Sequence, residues 1–163
     1  MDSEQVTQFF YGHLKNEVVS RRISQAEVLY AASVLAEFAH SSCAGNDHAA
    51  PSRSLYEILD KFVLPVLTVD GATQLQQPEV LEVAGKQTLF LVGFFRDQMR
   101  AKHNLEWYDH LGSAFFSKAG ELTKERNKSE LLRRIGGCFT PLAMSCYRLN
   151  RKLQEESYLL RLD

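Results

Sequence analysis

Between Leu89 and Phe95 the chain reads Leu-Phe-Leu-Val-Gly-Phe-Phe, a run with no polar side chain and with one glycine, Gly93, inside it. A stretch this uniformly apolar has to leave water on every side. It is far shorter than the roughly 20 apolar residues that cross a bilayer, so it must be hidden inside protein. A buried strand is one solution, but Val92 is its only β-branched residue, and Arg-Asp-Gln-Met-Arg-Ala-Lys follows with no turn signal. A helix fits that continuation better. Being apolar all round, such a helix belongs at the centre of a bundle.

Glycine inside a helix costs up to about 1 kcal/mol relative to alanine, and a closely approaching neighbour is the natural compensation. The segment Leu111–Phe116 supplies a matching small patch in Gly112, Ser113 and Ala114. The expectation is an antiparallel helix hairpin joined through Lys102, His103 and Asn104, with Gly93 and Gly112 both near its contact line.

Helix starts are marked elsewhere too. Ser24 to Glu27 reads as a capping box, with Ile23 and Val28 placed as a hydrophobic staple; Ser54 to Glu57 repeats the box, and Asn127 to Glu130 is a variant with asparagine as the cap. Thr140 followed by Pro141 is a further entrance, because proline early in a helix forfeits no internal hydrogen bond. Apolar stripes at helical spacing agree: Val6, Phe9, Phe10, His13 and Leu14; Val28, Ala31, Ala32, Leu35 and Ala39; Leu55, Ile58, Leu59, Phe62, Val63 and Val66, with Pro65 as a kink; and Leu142, Cys146, Leu149 and Leu153. No segment alternates at period two. Ser41–Ser52 and Thr68–Pro78, rich in Gly, Pro, Asp and Ser, read as surface connections. The pattern predicts an all-α domain over residues 1–163, a single helical bundle of about six or seven helices around the central apolar hairpin.

Charge and cysteine usage narrow the setting. The formal net charge of −1 advertises neither nucleic acid nor an anionic membrane, although the chain is acidic through Phe95 and basic after it. Met1–Phe10 has no basic and apolar signal-peptide pattern. Three cysteines, Cys43, Cys138 and Cys146, are odd in number with no Cys-x-x-Cys spacing, as expected of small buried hydrophobes in a reducing compartment. A cytoplasmic protein without a membrane partner is the expectation.

The run Leu89–Phe95 followed by Asn104–Phe116 resembles a group of uncharacterised bacterial all-helical proteins that couple an LFLxGFF run to a YYxxxGxxAY-like segment. Trp107 stands here for the first tyrosine and Phe116 falls where the last aromatic varies. The resemblance implies an α fold in a bacterial, cytosolic setting, and no activity.

Three sets of residues are candidates for function. His103, Glu106 and His110 follow an i, i+3, i+7 spacing, and imidazole with carboxylate is competent for zinc, iron or manganese. Against this, Asn104 is a good N-cap, which puts His103 outside the helix and makes Glu106 a first-turn acid favoured by the helix dipole. Phe94, Phe95, Trp107, Tyr108, Phe115 and Phe116 cannot all share one helix face, so some must meet other helices, line a ligand pocket or form an interface. Lys118, Lys124, Arg126, Lys128, Arg133 and Arg134 could meet phosphate, but Glu121, Glu125 and Glu130 interleave with them as on a solvated face, which argues against nucleic acid. No phosphate loop, nucleophile elbow or paired Cys/His motif occurs, so no catalytic residue and no cofactor are assigned. The leading expectation is a protein-interaction or adaptor module that docks a protein partner or forms a homo-oligomer. The alternative is a small-ligand or metal-binding protein or enzyme with its site near Trp107, Tyr108 and His110.

Overall fold

A computed structural model describes residues 2–43 and 77–162 of the chain. Among these residues there are seven helices and no strand: α1 (Ser3–Leu14), α2 (Gln25–Cys43), α3 (Pro78–Phe94), α4 (Arg96–Lys102), α5 (Leu105–Leu122), α6 (Arg126–Gly137) and α7 (Phe139–Leu162). The second capping box at Ser54–Glu57, the stripe from Leu55 to Val66 and Pro65 lie outside the described residues, as do the two connections apart from their ends.

Local chemistry accounts for the helix starts. Asp2 caps α1 reciprocally: Gln5 donates its amide to Asp2 Oδ1 at 2.8 Å, and the Asp2 amide donates to Gln5 Oε1 at 3.3 Å. At α2 the Ser24 hydroxyl pairs with the Glu27 carboxylate, and the staple residues Ile23 and Val28 are both buried. Asn104 caps α5, its Oδ1 accepting from the Trp107 amide at 3.3 Å. Two starts fall two residues earlier than the sequence signals. Glu125, not Asn127, precedes α6, and α7 begins at Phe139, ahead of Thr140 and Pro141.

α3 occupies the centre of the packing, with α5, α7 and α2 against it. Its Leu81, Ala84, Leu89, Leu91 and Val92 side chains join a single core cluster with residues of every other described helix. α3 and α5 form the expected antiparallel pair: Gly85 faces Phe116 near one end, and Arg96, just beyond α3, faces Asp109 near the other. The connection is longer than Lys102–Asn104, because α4 is interposed.

The expected mates of the glycines are different. A Cβ on Gly93 would meet Cys146 Cβ at 2.9 Å and the Ala143 carbonyl oxygen at 3.4 Å, so Gly93 admits α7 and not α5. Gly112 admits the ring of Phe139, at the start of α7, which a Cβ there would overlap. The glycine that brings α3 and α5 together is Gly85, where a Cβ would come within 2.9 Å of the Phe116 ring. Periodicity marks where a helix surface is indented, whereas the helix that fills the indentation is a property of the whole packing.

The stripes of α2 and α7 are largely buried as expected: Val28, Ala31, Ala32 and Leu35 in one, Leu142, Cys146 and Leu149 in the other. α1 buries less of its stripe. Phe10 and Leu14 enter the core, but Phe9 is 45% exposed, and His13, expected among core residues, is half-buried with its ring 4.6 Å from that of Phe9.

Candidate functional site

The break between α3 and α4 places a charged group where the sequence showed only the end of an apolar run. Phe95 leaves helical geometry, with φ −106° and ψ 32°, and the Phe94 carbonyl accepts from Asn150 Nδ2 of α7 at 2.6 Å. A side chain from a neighbouring helix thus satisfies an acceptor at the break. The break directs Arg96 inward, where it is 7% exposed.

Arg96 and Asp109 of α5 form a buried two-pronged ion pair. Arg96 Nη1 donates to Asp109 Oδ1 at 3.3 Å and Nη2 to Oδ2 at 3.1 Å, and Nη1 also donates to the Val92 carbonyl at 3.2 Å. Asp109 is 8% exposed. Arg96 Nε is buried and has no hydrogen-bond partner. Desolvating two charges costs several kcal/mol per ion before their attraction offsets it. An unmet buried donor adds about 1–3 kcal/mol to that cost.

This pair borders a cleft of about 630 Å³ between α5, the α6–α7 junction and the connection from α1 to α2. α5 contributes Leu105, Glu106, Asp109, His110 and Ser113, whose spacing places them on one helical face. The junction contributes Phe139, Thr140 and Pro141 from the first turn of α7, and the connection contributes Arg22. Gly136 lets the end of α6 press on α5: the Ser113 hydroxyl donates to the Gly136 carbonyl at 2.6 Å, and a Cβ there would come within 2.9 Å of the Ser117 amide. The walls therefore combine two guanidinium groups, two carboxylates and an imidazole with the apolar side chains of Leu105 and Pro141. That mixture suits a polar ligand with an apolar part, and the volume lies in the usual range for small-molecule sites.

The sequence candidates divide between this cleft and the core. Glu106 and His110 border the cleft. His103 caps the end of α4 in extended backbone, with its ring 5.8 Å from that of Tyr108. Because the chain is not helical through His103, the i, i+3, i+7 spacing does not assemble the three as a ligand set. Among the described residues no group of three or more His, Cys, Asp and Glu side chains is gathered so as to hold a metal ion.

Tyr108, Phe115 and Phe116 are core residues, and burial pushes the Tyr108 phenol up from its ordinary pKa. Trp107 is 44% exposed, edge-on to Tyr108 at 4.8 Å. Phe94 and Phe95 are half-buried in a ring cluster built on Phe90, which stacks on Phe38 at 4.3 Å. Several of the basic candidates are engaged by carboxylates: Lys118 by Glu121, Arg126 by Glu130, Lys128 by Glu82 and Arg134 by Glu27.

Arg22, Arg96, Asp109 and Thr140 were not singled out from the sequence as site residues. Arg96 carried a signal, a charge directly abutting the apolar run. Asp109 carried none, because the inward direction of its face depends on the partner helices. A second cleft of about 520 Å³ lies between the start of α3 and the turn joining α5 to α6. Its central carboxylate, Glu82, is already engaged by the Tyr30 hydroxyl at 2.8 Å and by Lys128 at 3.0 Å.

Comparison with family models finds no match for this chain, and comparisons with curated proteins and with solved structures find none either. Among the described residues no helix is long and apolar enough to cross a membrane.

Proposed function

We propose that this protein binds a small polar molecule in the cleft between α5 and the α6–α7 junction. The observation that carries the reading is Arg96: a buried cation that borders an open cleft, paired with buried Asp109, its Nε donor unmet beneath a cover of protein atoms. A pair kept only for stability could be replaced by packed apolar groups at little cost, so charges retained at a cavity wall suit recognition better. A cytosolic setting belongs to the same proposal. Ligand-observed NMR with a panel of neutral, cationic and anionic polar metabolites tests it, with a folded Arg22→Ala/His110→Ala variant as the control. The reading expects at least one binder whose signal is lost in the variant. It fails if the panel yields no binder, or if every binder is indifferent to the two substitutions.

A second reading, docking of a protein partner or a second copy, is favoured by apolar surface: Phe9 and Trp107 are 45% and 44% exposed, and Phe94 and Phe95 are half-buried. Light scattering after size-exclusion chromatography tests its homo-oligomeric form. A dimer that dissociates in a Trp107→Ala or Phe9→Ala variant supports it, and a monomer at all concentrations removes it.

A further inference from the structure

Resting on the cleft reading, we infer that the ligand is an amino-acid zwitterion whose carboxylate faces Arg22 and Arg96 and whose ammonium faces Glu106.

The carboxylate side follows from the unused donors. A guanidinium presents two forks, an end fork made by the two Nη groups and a side fork made by Nε–H and one Nη2 hydrogen. Asp109 takes the end fork of Arg96, and Nε is without a partner, which leaves the side fork for a second planar oxyanion. Nε is covered by protein atoms, so a carboxylate reaches it only after side chains at the cleft wall move aside. Arg22 is exposed at the same cleft and forms no ion pair with a carboxylate among the described residues. The first turn of α7 opens there as well, adding the positive end of a helix dipole and the Thr140 hydroxyl.

Charge balance selects the rest of the ligand. Arg22 and Arg96 are offset by Glu106 and Asp109, so the walls carry no net charge with His110 neutral. A phosphate dianion would bring two charges into a site with no surplus cation. A zwitterion brings none, and its ammonium meets Glu106, which is exposed on the same α5 face as Asp109. Leu105 and Pro141 supply the apolar wall against which a hydrocarbon side chain would lie.

Calorimetric titration at low salt separates the possibilities, using each protein amino acid, its N-acetyl and amide derivatives, and inorganic phosphate against wild type, Arg22→Ala and Glu106→Gln. The inference expects one or more amino acids to bind at least tenfold more tightly than either derivative. Arg22→Ala should weaken the amino acid by a similar factor yet leave its amide unaffected. Glu106→Gln should weaken the amino acid and leave the N-acetyl form unaffected. Phosphate binding as tightly as any amino acid, or N-acetyl and free forms binding equally, overturns the zwitterion. So does failure of every amino acid to bind. In each case a metabolite from the broader panel that is displaced by the Arg22→Ala/His110→Ala substitutions leaves the cleft reading standing, whereas no binder at all removes both.

Discussion

Replacing Asp109 by alanine removes the carboxylate that pairs with the buried Arg96 guanidinium, and with it both hydrogen bonds, at 3.1 and 3.3 Å. What remains for the cation is the Val92 carbonyl at 3.2 Å, in the last turn of α3. With Arg96 only 7% exposed, water cannot take over without local opening. Breaking a buried pair from one side typically costs about 3–5 kcal/mol, against a total stability of about 5–15 kcal/mol for a domain. Urea unfolding followed by far-ultraviolet circular dichroism should therefore show a midpoint far below that of wild type. The double variant Arg96→Met/Asp109→Leu exchanges the pair for apolar side chains and is expected to recover most of the loss while binding no amino acid. A cost below about 1 kcal/mol for Asp109→Ala would mean that solvent screens the pair. A double variant as unstable as the single one would mean that the pair is retained for stability, and the reason for assigning it to a ligand would disappear.

The packing of α3 makes a second prediction. Gly93→Leu must displace Cys146 and the Ala143 backbone, and overpacking of this kind costs about 1–3 kcal/mol; an unchanged thermal midpoint would show that α7 does not lie against Gly93. Burial pushes the Cys146 thiol up to about 12, and burial with the nearby Glu27 carboxylate pushes Cys138 up to about 11. In a Cys43→Ser background, Ellman's reagent should therefore modify neither at pH 8 until denaturant is added, and rapid labelling of the native protein would contradict their burial. The same shifts set an alkaline limit. Folding holds these thiols and the Tyr30 phenol neutral, so their contribution is intact below their ordinary values of 9.0 and 10.0 and is lost as pH rises toward the folded-state values. The slope approaches about 1.4 kcal/mol per pH unit for each group, and a thermal midpoint that is flat from pH 8 to about pH 10.5 would count against it.

The parts of the fold legible in the sequence were those fixed by local chemistry. Ser24 and Glu27 could be paired by spacing alone, and Leu89–Phe95 had to be interior because no face of it tolerates water. Which helix approached Gly93 was not local: α5 and α7 both offer small residues, and Ala143 and Cys146 fill the gap on the helix that also reaches the α3 break through Asn150. The metal set failed for a local reason, since Asn104 capping starts the helix after His103. The ion pair was beyond reach, because Arg96 and Asp109 sit 13 residues apart on different helices and meet only through the intervening turn of α4.

In the proposed site the side fork of Arg96 is a ligand donor. Its Nε–H resonance, assigned by comparison with an Arg96→Lys variant, reports on this directly in a proton–nitrogen correlation spectrum. On saturation with a bound amino acid, this resonance should shift downfield in the proton dimension and exchange more slowly with water, as the unmet donor gains a carboxylate. A resonance that stays in place while the amino acid is fully bound would contradict it.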